Sequence, residues 1–225
     1  MTWDVRRFDE LDSTNTWIMA QARAGAAQGL VAVADHQTAG RGRLGRRWES
    51  PPGANLLCSV LLRPAALSHL VVVRMALAAR DAVRAVAGLE VGLKWPNDLV
   101  TADGAKLAGL LAETDGAAVA AGIGLNVAWA PEGAACLGAE VDREAVLAAL
   151  LEALGRWCDA SDDDVARAYR EACVTLNRQV RVELLDESFT GSAADIDADG
   201  HLLVDTGACL RTVTAGDVVL VRSGS

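Results

Sequence analysis

The chain reads as an α+β protein with a small all-β unit towards its C-terminal end, and three observations predict this. Between residues 12 and 175, stretches with helical apolar spacing alternate with short, nearly continuous apolar runs of strand length. After Asn177 the pattern changes to short strand-like runs divided by Gly and Asp turns. No repeat, low-complexity tract or long linker interrupts the 225 residues, a length that buries a sizeable core without staples.

The elements follow in order. Asp12, Ser13 and Thr14 offer N-cap side chains to a helix that runs as far as Gly25–Gly29. LVAVAD (30–35) is a short apolar strand, and NLLCSVLL (55–62) is a buried one. Residues 68–88 have apolar positions at helical spacing, with Ser68 as N-cap and Gly88 as the stop. VGLKW, KLAGLLAE and AVAAGIGLNVAW read as three strands of one sheet. The first two are joined through TADGA, where Asp103-Gly104 signals a hairpin. Helices are expected around 142–158 and 162–175. QVRVELL, SFTGSAADIDADG, HLLVDTG and ACLRTVTAGDVVLVR then form a β-barrel-like appendage, so the chain divides into domains 1–176 and 177–225.

Composition narrows the function. Thirty acidic against 21 basic side chains leave a net charge of −9, which opposes general binding to nucleic acid or anionic membrane. Cys58, Cys136, Cys158, Cys173 and Cys209 are widely spaced with no C-x-x-C pair, as expected of reduced thiols and not of a disulfide framework or a zinc site. MTWDVRRFDE lacks the apolar centre of a signal peptide. The longest uncharged run, Gly116 to Pro131, is too short to span a bilayer. A cytoplasmic protein is expected. Of its 21 basic residues only Lys94 and Lys106 are lysines, so under an arginine-favouring bias each marks a place where an ammonium is needed.

Against this acidic background, HQTAGRGRLGRRWESPPG (36–53) stands out. Arg41, Arg43, Arg46 and Arg47 lie within seven residues, spaced by Gly40, Gly42 and Gly45. The string matches G-x-G-x-x-G, but a dinucleotide-binding fingerprint opens a helix directly after its strand, and here Pro51-Pro52-Gly53 prevents one. Glycines let backbone approach a ligand, guanidiniums fork onto phosphate or carboxylate oxygens, and Trp48 adds a flat face for a ring. Alone, the loop fits a solvated basic turn equally well. Further on, Lys94-Trp-Pro-Asn97-Asp98 places a Lys, an amide and a carboxylate around a stiff step. Lys106 opens KLAGLLAE, Gly122-Ile-Gly124-Leu-Asn126 sets glycines beside an amide, and Ser13-Thr14-Asn15 gathers polar groups at a helix start.

In combination and order, LDSTN, GRGRLGRRW, KWPNDL, KLAGLLAE and GIGLNV resemble the biotin protein ligases, closely over residues 11–127 and loosely beyond. The resemblance implies a mixed central sheet flanked by helices, of the class II aminoacyl-tRNA-synthetase type, with a small SH3-like C-terminal barrel. It implies a biotin–[acetyl-CoA-carboxylase] ligase that uses ATP and Mg2+ to make biotinyl-5′-AMP. Biotin then passes to a lysine of a biotin carboxyl carrier domain of an acyl-CoA or pyruvate carboxylase. Carried over by position, Ser13, Thr14, Asn15, Gln37, Arg41, Gly42, Arg43, Lys106, Gly109 and Gly124 hold biotin. Arg43, Arg46, Trp48, Asn97, Lys106 and Asn126 hold ATP and the adenylate. Lys106, Arg43 and Asp98 are the catalytic set, Asp98 doubles as a magnesium ligand, and Arg211 brings the C-terminal domain near the site.

Only ten residues precede Leu11, too few for the helix-turn-helix of the family's repressor members, so no operator binding is expected. The same resemblance leaves open a lipoate or octanoate ligase or transferase. A binding module that has lost the reaction is a third reading. The chain is expected to be a monomer or a homodimer, with no nucleic-acid or membrane partner.

Overall fold

The computed structural model describes residues 1–184, 186–214 and 216–221; Leu185, Ala215 and residues 222–225, all within the expected C-terminal domain, lie outside the described residues. In chain order the first sheet and its helices comprise β1 (Asp4–Leu11), α1 (Thr14–Arg23), β2 (Leu30–Gln37), β3 (Leu56–Leu62) and α2 (Leu70–Ala87). They continue with β4 (Gly92–Lys94), β5 (Asp98–Val100), β6 (Lys106–Asp115), β7 (Ala118–Leu125), α3 (Arg143–Asp159) and α4 (Asp162–Ala172). The strands form one mixed sheet in the order β1-β2-β3-β7-β6-β5-β4, in which β1 and β2 are parallel and every other pair is antiparallel.

The two faces of this sheet are made from different residues of the same strands. β7 sends Val119, Ala121, Ile123 and Leu125 to a large core beneath α2, α3 and α4. Its alternate residues are small: Ala118 and Ala120 pack under Ile18, Met19 and Ala22 of α1, and Gly122 and Gly124 follow. Alternation by two therefore makes one face thick with side chains and leaves the other shallow beyond the end of α1. That shallow strip holds the site. Every residue of β3 is buried, as expected for a central strand covered on both sides.

The second sheet is antiparallel, with β8 (Gln179–Glu183), β9 (Ser188–Ile196), β10 (Leu202–Asp205), β11 (Leu210–Val213) and β12 (Asp217–Leu220) in the order β11-β10-β9-β8-β12. Its buried Val180, Val182, Ile196, Leu202 and Val204 join the main core, and the Trp95 indole N–H donates to the Gly200 carbonyl at 3.0 Å. No helix among the described residues is long and apolar enough to cross a membrane.

Four expectations are corrected. β1 was not anticipated, because DVRRFDEL is an edge strand with charge on both faces and no apolar alternation. TADGA joins β5 to β6, with Thr101 N–H bonded to the Ala105 carbonyl at 2.9 Å, and does not join VGLKW to KLAGLLAE. The three residues of β5 are too few to show a period, and β4 turns into β5 through Trp95-Pro96-Asn97, whose Trp-Pro bond is cis. The N-cap of α2 is His69, not Ser68, whose carbonyl accepts from Val71 N at 3.3 Å. Helix α4 stops at Ala172, short of 175, because the chain turns extended at Cys173 and Val174 N–H donates to the Leu93 carbonyl at 3.0 Å. This contact covers the outer edge of β4.

Candidate active site

A cavity of about 300 Å³ opens on the shallow strip of the sheet. Strand register sets its floor: Asp98 of β5, Gly109 of β6 and Gly124 of β7 lie in one row across three strands, while Gly122 faces Ser59 of β3. The missing side chains are needed. A Cβ on Gly109 would come within 2.9 Å of the Trp48 ring and 3.2 Å of Lys106 Nζ. One on Gly124 would overlap the same indole, 2.5 Å from Nε1, and one on Gly122 would strike the amide of Asn15. Trp48 therefore lies flat against backbone, and its buried Nε1 has no partner among the described residues.

At the start of α1 the cavity is lined by uncharged polar side chains, and Arg41 reaches Thr16 of the same helix from the arginine loop. Ser13 occupies the N-cap position with extended backbone, but its hydroxyl caps nothing. Thr14 N–H donates to Gln37 Oε1 at 2.8 Å, and the Ser59 hydroxyl lies 2.6 Å from both Thr14 Oγ1 and Asn15 Oδ1. Asn15 Nδ2 donates to the Leu111 carbonyl at 3.1 Å. Ser13, Thr14, Asn15 and Ser59 are all buried. A set of fixed hydroxyls and amides of this kind offers donors and acceptors together. Ser59 was missed in the sequence, although a lone hydroxyl inside the otherwise apolar strand LLCSVLL was its signal.

The other end is charged. Six basic side chains (Arg41, Arg43, Arg46, Arg47, Lys94 and Lys106) line the cavity against three acidic ones (Asp98, Glu183 and Asp217), reversing the balance of the whole protein. Lys106 Nζ is 2.7 Å from Asp98 Oδ1 and 5.7 Å from the centre of a Trp48 ring. Arg43 donates to Asn97 Oδ1 and to the Gly216 carbonyl, both at 3.3 Å, and Arg46 pairs with Asp217. Burial lowers the Arg43 guanidinium below its ordinary value while the Asp98 carboxylate draws it back up. The last two contacts bring the C-terminal sheet into the site, and β12 lines it with Asp217, Val218 and Val219.

The arginine loop is ordered by its own backbone: Trp48 N–H bonds to the Gly40 carbonyl at 3.0 Å and Gly42 N–H to the Arg46 carbonyl at 2.7 Å. At its tip Leu44 adopts φ 54°, in the left-handed region, and is 68% exposed. Arg41 lines the cavity while its guanidinium bonds Glu113 at 2.7 Å and Thr16 at 2.9 Å.

Two residues from the sequence reading lie elsewhere. Asn126 is buried behind the floor, where its amide donates to the Ala135 carbonyl at 3.0 Å and faces Asn55. Because Ala135 N–H in turn bonds the Lys106 carbonyl at 2.9 Å, Asn126 braces the backbone of Lys106 from outside the cavity. Arg211, on β11, pairs with Glu187 and stacks on Phe189, 3.8 Å from the ring centre, and does not line the cavity.

Beneath the charged end, His69 lies between Trp95 and Tyr169 with each ring centre 6.3 Å away. Burial pushes its imidazole down to about 4, and Arg43 adds to the shift.

A family model described as the Biotin/lipoate A/B protein ligase family matches residues 8–128, and one described as the Biotin protein ligase C terminal domain matches residues 175–221. The biotin–[acetyl-CoA-carboxylase] ligase of Mycobacterium tuberculosis is 41% identical, over 93% of this chain and 86% of its own length. The bifunctional ligase/repressor BirA of Escherichia coli is 31% identical over 93% of this chain and 72% of its own. Among solved structures, the biotin protein ligase of Aquifex aeolicus in complex with biotin and ATP superposes with a TM-score of 0.82 at 27% identity, covering 98% of this chain and 99% of that one.

Proposed function

The chain belongs to the biotin/lipoate A/B protein ligase family, and from that premise we propose that it is an ATP-dependent biotin–[carrier protein] ligase of the cytoplasm. The observation that carries this reading is the division of one cavity into a neutral hydrogen-bonding end and a cationic end across a floor of glycines. A urea-like ring fits the first, a carboxylate and phosphates fit the second, and a slender aliphatic chain fits the space between.

In the first half-reaction a biotin carboxylate oxygen attacks the α-phosphorus of ATP, forming a C–O–P anhydride and releasing pyrophosphate. Ser13, Thr14, Asn15, Gln37 and Ser59 orient the bicyclic head. Lys106 reaches both the carboxylate and the α-phosphate, where negative charge gathers as the bond forms, and Arg43 and Arg46 take the phosphates. Asp217 holds Arg46 in place and is displaced by the stronger anion. Trp48 covers the anhydride and keeps water from it. A magnesium ion carried by ATP needs only one or two protein carboxylates, and Asp98 beside the amide of Asn97 supplies that oxygen chemistry. In the second half-reaction the ε-amine of a lysine on a carboxylase carrier domain attacks the anhydride carbonyl. The C–N bond forms, AMP leaves, and the amine loses its proton; Asp98, beside Lys106, is the carboxylate assigned to receive it. Residues 1–176 form the catalytic domain and 177–225 a closing domain.

The test is ATP–pyrophosphate exchange with biotin, with lipoate and with neither, followed by transfer to the carrier domain of an acetyl-CoA carboxylase. Exchange only with biotin supports the reading. Exchange with lipoate reassigns the substrate, and exchange with neither acid defeats the proposal.

A further inference from the structure

The arginine loop is a small hairpin. Residues 40–42 run back against 46–48, with an antiparallel bridge between Arg41 and Arg47 and the Trp48–Gly40 and Gly42–Arg46 backbone bonds on either side. Arg43, Leu44 and Gly45 are left at its tip. A two-stranded unit of this size is marginal alone and needs an outside anchor to keep one orientation.

Arg41 supplies that anchor. Its Nη2 donates to Glu113 Oε2 of β6 at 2.7 Å and to Thr16 Oγ1 of α1 at 2.9 Å. The two acceptors sit on regular elements that are also tied together next door, where Asn15 Nδ2 reaches the Leu111 carbonyl at 3.1 Å. Gly109, Leu111 and Glu113 alternate along one face of β6, so the anchor shares a strand face with the cavity floor. The tip is held more loosely. Arg43 makes two contacts of 3.3 Å, both to uncharged oxygens. Glu113 has no ion-pair partner but Arg41 among the described residues. An entering anion finds Arg43 lightly held. To recruit Arg41 it has to break a charge-assisted pair and leave the Glu113 carboxylate without its cation.

We propose that Arg41 and Glu113 are positioning residues, a clamp at the base of the loop that aims Arg43 and Arg46 at the phosphates of ATP. The Arg41 guanidinium itself then takes no part in holding biotin. The inference rests on the ligase reading for its substrate. With the clamp broken the hairpin samples orientations in which its tip misses the phosphates, and apparent affinity for ATP falls with the aligned fraction. Saturating ATP restores alignment, so KM carries the effect and kcat much less.

One test needs no ligand. Trypsin added to the folded protein, with the cut sites read by mass spectrometry, should cleave after Arg43, Arg46 and Arg47 about tenfold faster in Glu113→Ala than in wild type. Glu113→Gln keeps the shape and loses the charge; it should show a smaller rise, and it replaces the alanine variant if a thermal melt finds that one unfolded. The second test is ATP–pyrophosphate exchange. Arg41→Ala and Glu113→Ala should each raise KM for ATP about tenfold, and the double variant should match either single one. A ligand-binding Arg41 gives the opposite pattern, because removing Glu113 frees it: Glu113→Ala then keeps or lowers KM while Arg41→Ala raises it. That pattern, additive effects in the double variant, or cleavage at the wild-type rate overturns the clamp. Wild-type protein without biotin-dependent exchange defeats the ligase reading instead, and the cleavage rates still decide the clamp.

Discussion

Replacing Gly124 with alanine tests whether Trp48 must lie flat on the sheet. The added methyl would fall 2.5 Å from Trp48 Nε1 and 2.8 Å from Cζ2. Carbon atoms rest about 3.5–4.0 Å apart, so the indole has to lift by roughly 1 Å or more. Floor and ring both belong to packed structure, and such overpacking costs about 1–3 kcal/mol. Trp48 belongs to the arginine loop and rests on the cavity floor outside the apolar core, so that cost should fall on ligand binding and leave the core intact. At 1.4 kcal/mol per tenfold it corresponds to a rise of roughly 5- to 150-fold in KM for biotin or ATP. The assay is ATP–pyrophosphate exchange titrated with each substrate, beside a thermal melt. Combining Gly124→Ala with Trp48→Val separates two causes. If the ring is what the methyl strikes, the methyl adds little to the effect of losing the ring. If it strikes substrate, its full penalty persists. Parent-like KM values for both substrates in Gly124→Ala would refute the reasoning.

Other outcomes follow from the same geometry. Ser59→Ala leaves Asn15 Oδ1 and Thr14 Oγ1 short of a buried partner, so biotin binding measured by calorimetry should weaken by about 1–3 kcal/mol with little change for ATP. Lys106→Met keeps the length of the side chain and removes its charge; adenylation in single-turnover assays should fall at least about 100-fold, as for loss of a transition-state charge donor. His69 is held neutral by burial, with its folded value near 4 against about 6.5 unfolded. Below that unfolded value the unfolded chain binds the extra proton, so the contribution is present in full above about pH 6.5 and is lost as pH falls through about 4, some 3 kcal/mol in all. Urea titrations at several pH values should show this loss, and it should shrink in His69→Phe. Gly155, inside α3 with open space at its Cβ, should accept alanine and gain about 0.5–1 kcal/mol in the same titrations.

The arginine loop was legible in the sequence because glycines and arginines in an acidic chain have few bland uses. Lys106 stood out for a related reason, as one of two lysines among 21 basic residues. Local spacing also located α2 and its left-handed stop at Gly88, φ 63°. Elements defined by their partners were not legible. β1 is a strand because β2 lies beside it, and β5 because β6 does; neither has enough pattern of its own. Ser59 and Asn126 look alike in sequence as isolated polar residues in or beside apolar strands. Only the register of β3 against β7, and the Ala135 loop behind the sheet, separates the one that faces the cavity from the one that braces it.

The anchoring of Arg43 on the Gly216 carbonyl has a consequence for the order of synthesis. A ribosome makes Ser13, the arginine loop, Lys106 and the glycine floor early, and with them most of the binding surface. The wall that β12 contributes is made more than a hundred residues after Lys106. Until that wall docks, a nascent chain holds the binding surface as an open trough. The cavity is thus completed last, and a cut at 213–217 separates the β12 wall from the chain while sparing every residue of the floor.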